Sequence, residues 1–211
     1  CDVDHDYSGH ILAGYPKAKK YTDFREMIDK EKEIDAVLIG TPDHTHAVIA
    51  AYAMKAGKHV FVEKPMAKTI YETRFLRDLA KQTGVVTQMG NQGHNIEGTM
   101  QTVEWIQGGV IGDVKEVHLW TNRPMWRQGY FDRPAGVDIP SNLNYDVWLG
   151  PAPDKPYNPE MLHFAWRGLW DYGTGAMGDM GAHTFDAPIW ALNLGMPTKI
   201  QATSTPYNKD Y

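Results

Sequence analysis

Apolar and polar positions fall into blocks of two lengths over the first part of the chain. Ala36-Val37-Leu38-Ile39 is a continuous apolar run ending at Gly40. A run without period-two alternation predicts a strand buried on both faces, as in a parallel sheet. His59 to Val62 reads the same way, and Val85 to Met89 reads as a third strand. Helix-length blocks separate them. Thr41 to Ala56 carries Pro42 near its start and Gly57 at its stop, and Thr69 to Thr83 places Leu76, Leu79 and Ala80 on one face before Gly84. Asp23 with Glu26 three residues on is a capping-box-like start for a shorter helix. Strands separated by helices of this length predict βαβ units.

The pattern changes after Gly90. Asn95 to Gln107 predicts a helix stopped by Gly108 and Gly109, and Val114 to Trp120 alternates partly, as a strand with one exposed face does. Gly173 to Leu194 predicts one helix despite its glycines, and Thr198 to Thr203 a last strand. Between these, Thr121 to Pro156 is rich in Pro, Gly, Asn and Asp. A loop of that length is functional or disordered, and its aromatic residues favour order. Every tryptophan lies after the change: Trp105, Trp120 and Trp190 read as core residues, whereas Trp126, Trp166 and Trp170 sit in loop-like sequence beside Arg127, Arg167 and Asp171.

Composition narrows the classes. The 211 residues allow one large domain or parts of two. With 21 Lys+Arg against 26 Asp+Glu the net charge is −5, which supplies no electrostatic case for nucleic acid or an anionic membrane surface. No apolar run approaches the ~18 residues of a membrane span. A single cysteine excludes a disulfide scaffold and paired-cysteine zinc sites. Cys1-Asp2-Val3-Asp4 reads as the end of a strand whose start lies upstream. The compartment stays open: cytoplasmic by default, periplasmic with an export signal upstream.

Three segments carry candidate chemistry. Glu63-Lys64-Pro65 follows the strand His59 to Val62, at the carboxyl edge where open α/β sheets bind ligands; a Lys there can donate to a substrate oxygen, and a solvated surface ion pair is the plainer alternative. In Gly40-Thr41-Pro42-Asp43-His44-Thr45-His46, Thr41 can cap the next helix with Pro42 at its first position. The free N–H groups would then suit a phosphate or a ring carbonyl, and an ordinary capped helix with two exposed histidines is the plainer alternative. In Gly173 to His183, Asp179 and His183 share a helical face with Asp186, a spacing that suits a carboxylate supporting an imidazole base, or a surface pair. No second set of ligands accompanies them, so no metal is expected.

Taken together, Thr-Pro-x-x-x-His, a strand ending Glu-Lys-Pro and a Gly-rich helix with Asp-x-Gly-x-His resemble the Gfo/Idh/MocA oxidoreductases. Gln88 to His94, Trp148-Leu149-Gly150-Pro151 and Trp166-Arg167 resemble the sugar- and inositol-acting members. The resemblance implies an incomplete Rossmann-type α/β domain over residues 1–92. An incomplete α+β substrate domain with a mainly antiparallel sheet follows over residues 93–211. The chain is then a fragment without the N-terminal phosphate loop or the C-terminal part. It implies Lys64, Asp179 and His183 as catalytic residues: His183 takes the hydroxyl proton, Lys64 hydrogen-bonds the reacting oxygen, and Asp179 orients or assists them. It places Asp2, Thr41, Pro42, His44, His46, Glu63, Lys64 and Asn91 on the cofactor. Asp2, as the acid for the adenosine ribose, favours NAD, with NADP the alternative. Trp126, Trp166 and Arg167, with Lys64, Asp179 and His183, would hold a carbohydrate or polyol. The activity implied is hydride transfer between a secondary hydroxyl and nicotinamide. A redox-assisted glycosidase and a non-catalytic binding relative are the alternatives, and a homo-oligomer through the substrate-domain sheet is expected. Thr174 stands where the family often has glycine.

Overall fold

The computed structural model describes residues 1–129 and 132–208. Two short helices, α1 (Gly9–Gly14) and α2 (Phe24–Lys30), lead into three parallel strands, β1 (Ala36–Ile39), β2 (His59–Val62) and β3 (Thr87–Met89), ordered β1-β2-β3. Parallel neighbours cannot be joined by a hairpin, so helices make both crossovers: α3 (Asp43–Lys55) between β1 and β2, and α4 (Ile70–Thr83) between β2 and β3. Val37, Ile39, Val60 and Val62 from the strands meet Ala50, Ala53 and Met54 of α3 and Leu76 and Leu79 of α4 in the first core.

Local chemistry explains most boundaries. Thr69 and Glu72 make a reciprocal capping box at α4, and Gly84 ends it with φ 70°, a conformation glycine adopts without steric cost. At α2, Asp23 accepts from the Arg25 amide, but Glu26 pairs with Lys30 instead of returning a bond. The cap of α3 is Pro42, not Thr41; Thr41 instead accepts from the Thr45 hydroxyl. The expectation of strands buried on both faces fails at β1, where Leu38 is 71% exposed because that face opens onto a cavity.

Beyond β3 come α5 (Glu97–Gln107), α6 (Tyr145–Leu149), α7 (Gly175–Thr184) and α8 (Asp186–Ala191). One helix was expected from Gly173 to Leu194; two form, parted at Phe185. Pro188 lacks the N–H that would bond back to Thr184, so the ladder breaks there. The second core is aromatic, built by Tyr145, Trp148, Tyr157, Trp166 and Tyr172 around Met161 and Leu169, with Val3 against it. The expected strands Val114 to Trp120 and Thr198 to Thr203 do not form, because neither segment finds a ladder partner among the described residues. The antiparallel sheet, and an oligomer built through it, therefore have no strand here. Trp105 and Trp120, expected in the core, are exposed, since α5 buries its Val103 face and the segment 114–120 is exposed apart from half-buried Val114. The N-terminal strand end is reduced to one antiparallel bridge, Asp4 to Leu143. No described helix is long and apolar enough to cross a membrane.

Candidate active site

The loop after β2 starts between two neighbours: the Glu63 amide donates to Ile39 O at 2.8 Å, and the Gly90 amide to Val62 O at 2.7 Å. That fixes where Lys64 leaves the sheet. Its ammonium donates to Asp179 Oδ1 at 2.7 Å and to the Asp179 carbonyl at 3.0 Å. Both side chains are largely withdrawn from water, at 18% and 13% exposure. A pair so buried is sensitive to loss of either member, because the survivor is left charged and unpaired. Arg167 Nε lies 3.8 Å from the same carboxylate oxygen, with its guanidinium over the Trp166 ring at 4.3 Å. The structure thus joins Lys64, Asp179 and Arg167, which come from the β2 loop, α7 and the segment before it.

His183 is held differently from the sequence expectation. Asp179 is committed to Lys64, and the group bonded to the imidazole is Asn91, whose Oδ1 lies 3.2 Å from His183 Nδ1. The amide orientation is dictated by its other end: Nδ2 donates to the Ala182 carbonyl at 2.9 Å, which can only accept, so Oδ1 faces His183. An acceptor at Nδ1 keeps the proton there and leaves Nε2 with its lone pair, the state a proton acceptor needs. Burial, and then the Lys64 charge, lower the His183 pKa, against smaller opposing effects of Asp179, Asp186 and Glu63. Asp186 has left the stripe and pairs with His94 at 2.9 Å, which stacks on Trp190.

A cavity of about 610 Å³ opens beyond the C-terminal end of β1. Asp2, Leu38, Thr41, Pro42, Trp166 and Arg167 stand in its walls. A carboxylate at one side and flat apolar faces at the other fit a dinucleotide, and the place is the carboxyl edge of parallel strands. Asp2, Thr41 and Pro42 are where the resemblance puts cofactor contacts.

The remaining residues of that group are elsewhere. His44 is buried behind the loop: its ring lies 2.8 Å from the Trp148 carbonyl, and its amide donates to the Tyr172 carbonyl at 3.2 Å. The start of α3 is therefore met by the aromatic core, which takes an amide expected to be open to an anion. His46, also buried, sits between the Pro65 and Thr41 carbonyls, each at 2.7 Å. Glu63 points its carboxylate at Gly90, where an added Cβ would come within 2.9 Å of it. Asn91 serves His183 and α7. Trp126 is buried against Phe164 with its indole N–H unpartnered among the described residues, and it is not in the cavity wall.

Sequence reading missed Asp43. Its Oδ2 accepts the Thr174 amide at 3.0 Å and the Thr174 hydroxyl at 2.7 Å, at the entrance of α7. It also missed Gln128, whose Oε1 accepts the Ala176 amide at 2.8 Å. Both reach across the fold to satisfy free amides of a glycine-rich helix start. No local signal marked this, because Thr174 is itself a competent cap residue and its hydroxyl goes to Asp43 instead.

Two family profiles match the chain. Residues 5–91 match an oxidoreductase-family, NAD-binding Rossmann fold, and residues 116–210 the oxidoreductase-family C-terminal alpha/beta domain. Inositol 2-dehydrogenase of Salmonella typhimurium is 31% identical over 120 residues, 56% of this chain and 35% of that protein. Glycosyl hydrolase family 109 protein 1 of a Shewanella species is 33% identical over 139 residues, 64% of this chain and 30% of that protein. The chain thus spans about a third of the length of these relatives. The crystal structure of an NAD binding oxidoreductase from Klebsiella pneumoniae matches with TM-score 0.54 and 28% identity over 90% of this chain and 42% of that one. With both domain profiles in sequence order and the NAD-binding one spanning the parallel sheet, the chain belongs to the Gfo/Idh/MocA oxidoreductase family.

Proposed function

We propose that the full-length protein is an NAD-dependent dehydrogenase of a secondary hydroxyl in a sugar, glycoside or inositol. The observation that carries this reading is the buried Lys64–Asp179 pair beside an imidazole whose proton is held at Nδ1 by Asn91. His183 Nε2 takes the hydroxyl proton. Lys64 has three donors, two of which go to Asp179; the third hydrogen-bonds the reacting oxygen. Asp179 fixes the ammonium, and Arg167, stacked on the buried Trp166 ring, offers a donor to the substrate. When bound, nicotinamide supplies the hydride acceptor.

The test is the full-length chain with NAD and a panel of sugars and inositols, followed by NADH absorbance. Accumulating NADH supports the dehydrogenase. Hydrolysis of a glycoside with no net NADH would replace it by the redox-assisted glycosidase.

Two finer expectations follow from the geometry. A base must be neutral, so kcat/KM falls as pH drops through the His183 pKa. Burial and Lys64 put that limb below the ordinary value of 6.5, and His183→Ala removes it. A limb above 6.5 in the wild type would contradict the base assignment. Arg167→Ala, which loses a hydrogen bond, and Trp166→Ala, which removes the ring that carries the guanidinium, should each raise KM for the substrate by roughly 10-fold, and because both residues stand in the cavity wall NAD affinity should weaken as well. Unchanged KM in both variants would move the substrate wall elsewhere.

A further inference from the structure

We propose that Asp43 is a positioning residue that sets, through Thr174, where α7 presents Asp179 and His183; this rests on the dehydrogenase reading above. Asp43 opens α3, directly after the cavity-lining Thr41 and Pro42, and is buried. Thr174 immediately precedes α7 and lies 131 residues further along the chain. Both bonds between them, from the Thr174 amide and hydroxyl, end on the single oxygen Oδ2.

The Thr174 side chain packs over Gly178, where an added Cβ would fall 2.2 Å from both the Thr174 Cβ and its Oγ1, so glycine at 178 leaves the room in which the hydroxyl bonds Asp43. Burial raises the Asp43 pKa, while the bonds from Thr174 and the positive end of the α7 dipole oppose that rise. A helix transmits displacement along its length as a rod. Thr174 and Asp179 are separated by about 7 Å of rise, so a shift at the anchor arrives at the carboxylate nearly undiminished.

The same turn of α3 also touches the other partner. His46 lies 2.7 Å from the carbonyl of Pro65, the residue after Lys64. One helical turn therefore contacts both the loop that carries Lys64 and the helix that carries Asp179. Their 2.7 Å pairing depends on the spacing between those two elements. Misplacement by about 1 Å can cost as much as 10²-fold in rate, so this spacing matters to turnover more than to binding.

The test compares Asp43→Asn, Asp43→Ala, Thr174→Val and the Ala/Val double variant in the full-length protein. Asparagine can place its carbonyl oxygen where Oδ2 stands and keep both bonds, so its kcat should remain within about 3-fold of wild type. Asp43→Ala and Thr174→Val should each lower kcat by about 10-fold or more, with KM for NAD within about 2-fold. The double variant should be no slower than the slower single one, because both remove one contact. Amide hydrogen exchange across residues 174–178 is read on the same proteins, faster in Ala and Val and unchanged in Asn. Additive rate losses, an Asn variant as slow as Ala, or a folded Ala variant with normal kcat and exchange would overturn the proposal. If the wild type oxidises no polyol, the dehydrogenase reading fails by itself. Exchange then decides the anchor: unchanged rates in every variant overturn it.

Discussion

Replacing Lys64 by alanine in the full-length protein is expected to lower kcat by about 10²-fold or more, the usual scale for a positioned electrostatic or acid/base group. The ammonium is held at 2.7 Å from Asp179 Oδ1 and at 3.0 Å from the Asp179 carbonyl. An ammonium so fixed needs no reorganisation when charge develops on the reacting oxygen, and at 18% exposure it is weakly screened. The loss should therefore fall on kcat, with KM for NAD little changed, since Lys64 is not in the wall of the cavity assigned to the cofactor. Arg167, 3.8 Å from Asp179 Oδ1, is close enough to keep the carboxylate paired, so the variant should still fold. Near-normal turnover in a folded Lys64→Ala protein would remove Lys64 from the mechanism. The same variant also tests the cause of the His183 shift. Removing the Lys64 charge should move the acid limb of kcat/KM upward, because only burial then disfavours the imidazolium.

Local signals in the sequence located the elements that position this site, and tertiary contacts decided how its side chains are used. β1 and β2 are found by their apolar runs, and the end of α4 by Gly84. Lys64, Asp179 and His183 could be singled out because a lysine at a strand's carboxyl end and an i, i+4 pair in a glycine-rich helix are local patterns. What Asp179 and His183 are bonded to is not a local property. The Asn91–His183 contact spans 92 positions, and no periodicity encodes it. The histidines of α3 illustrate the limit. This helix is buried on most of its circumference, from His44 and His46 to Ala50 and Ala53, so the apolar pattern marks no single inner face. Sequence spacing could not tell whether His44 and His46 face a cofactor or carbonyl groups behind the loop. The expected strands at 114–120 and 198–203 failed for a related reason. Alternation proposes a strand, but a neighbouring ladder has to supply the hydrogen bonds.

Acid is expected to weaken the protein through His44, and His44→Gln should remove most of that effect. The imidazole is buried on α3, with Nε2 2.8 Å from the Trp148 carbonyl and Nδ1 unpartnered among the described residues. Its ring packs at 5.1 Å from Trp148 and 5.2 Å from Tyr172, so it joins the first core to the aromatic one. A carbonyl accepts only, so Nε2 carries the proton in the neutral ring and Nδ1 is the site that would have to be protonated in a pocket without an acceptor. Burial accordingly lowers the His44 pKa from 6.5 to about 4, aided slightly by the charges of Lys68 and His46 and opposed by the Trp148 and Tyr172 carbonyls. In the unfolded chain the ring protonates near 6.5, so between there and about pH 4 the unfolded state binds more protons than the folded one. Stability from this group is then complete above 6.5, declines as pH falls, and is lost by about pH 4. The displacement corresponds to about 3 kcal/mol. Glutamine keeps an amide donor for the Trp148 carbonyl and does not titrate. Urea unfolding of the full-length protein at pH 7 and pH 4.5 should show the wild type losing more stability than His44→Gln by about 2 kcal/mol or more. Equal losses in the two proteins would mean that the His44 pKa is not lowered in the folded state. Because Thr41 and Pro42, immediately before this turn, line the cavity, NAD affinity should weaken over the same pH range in the wild type and less so in the variant.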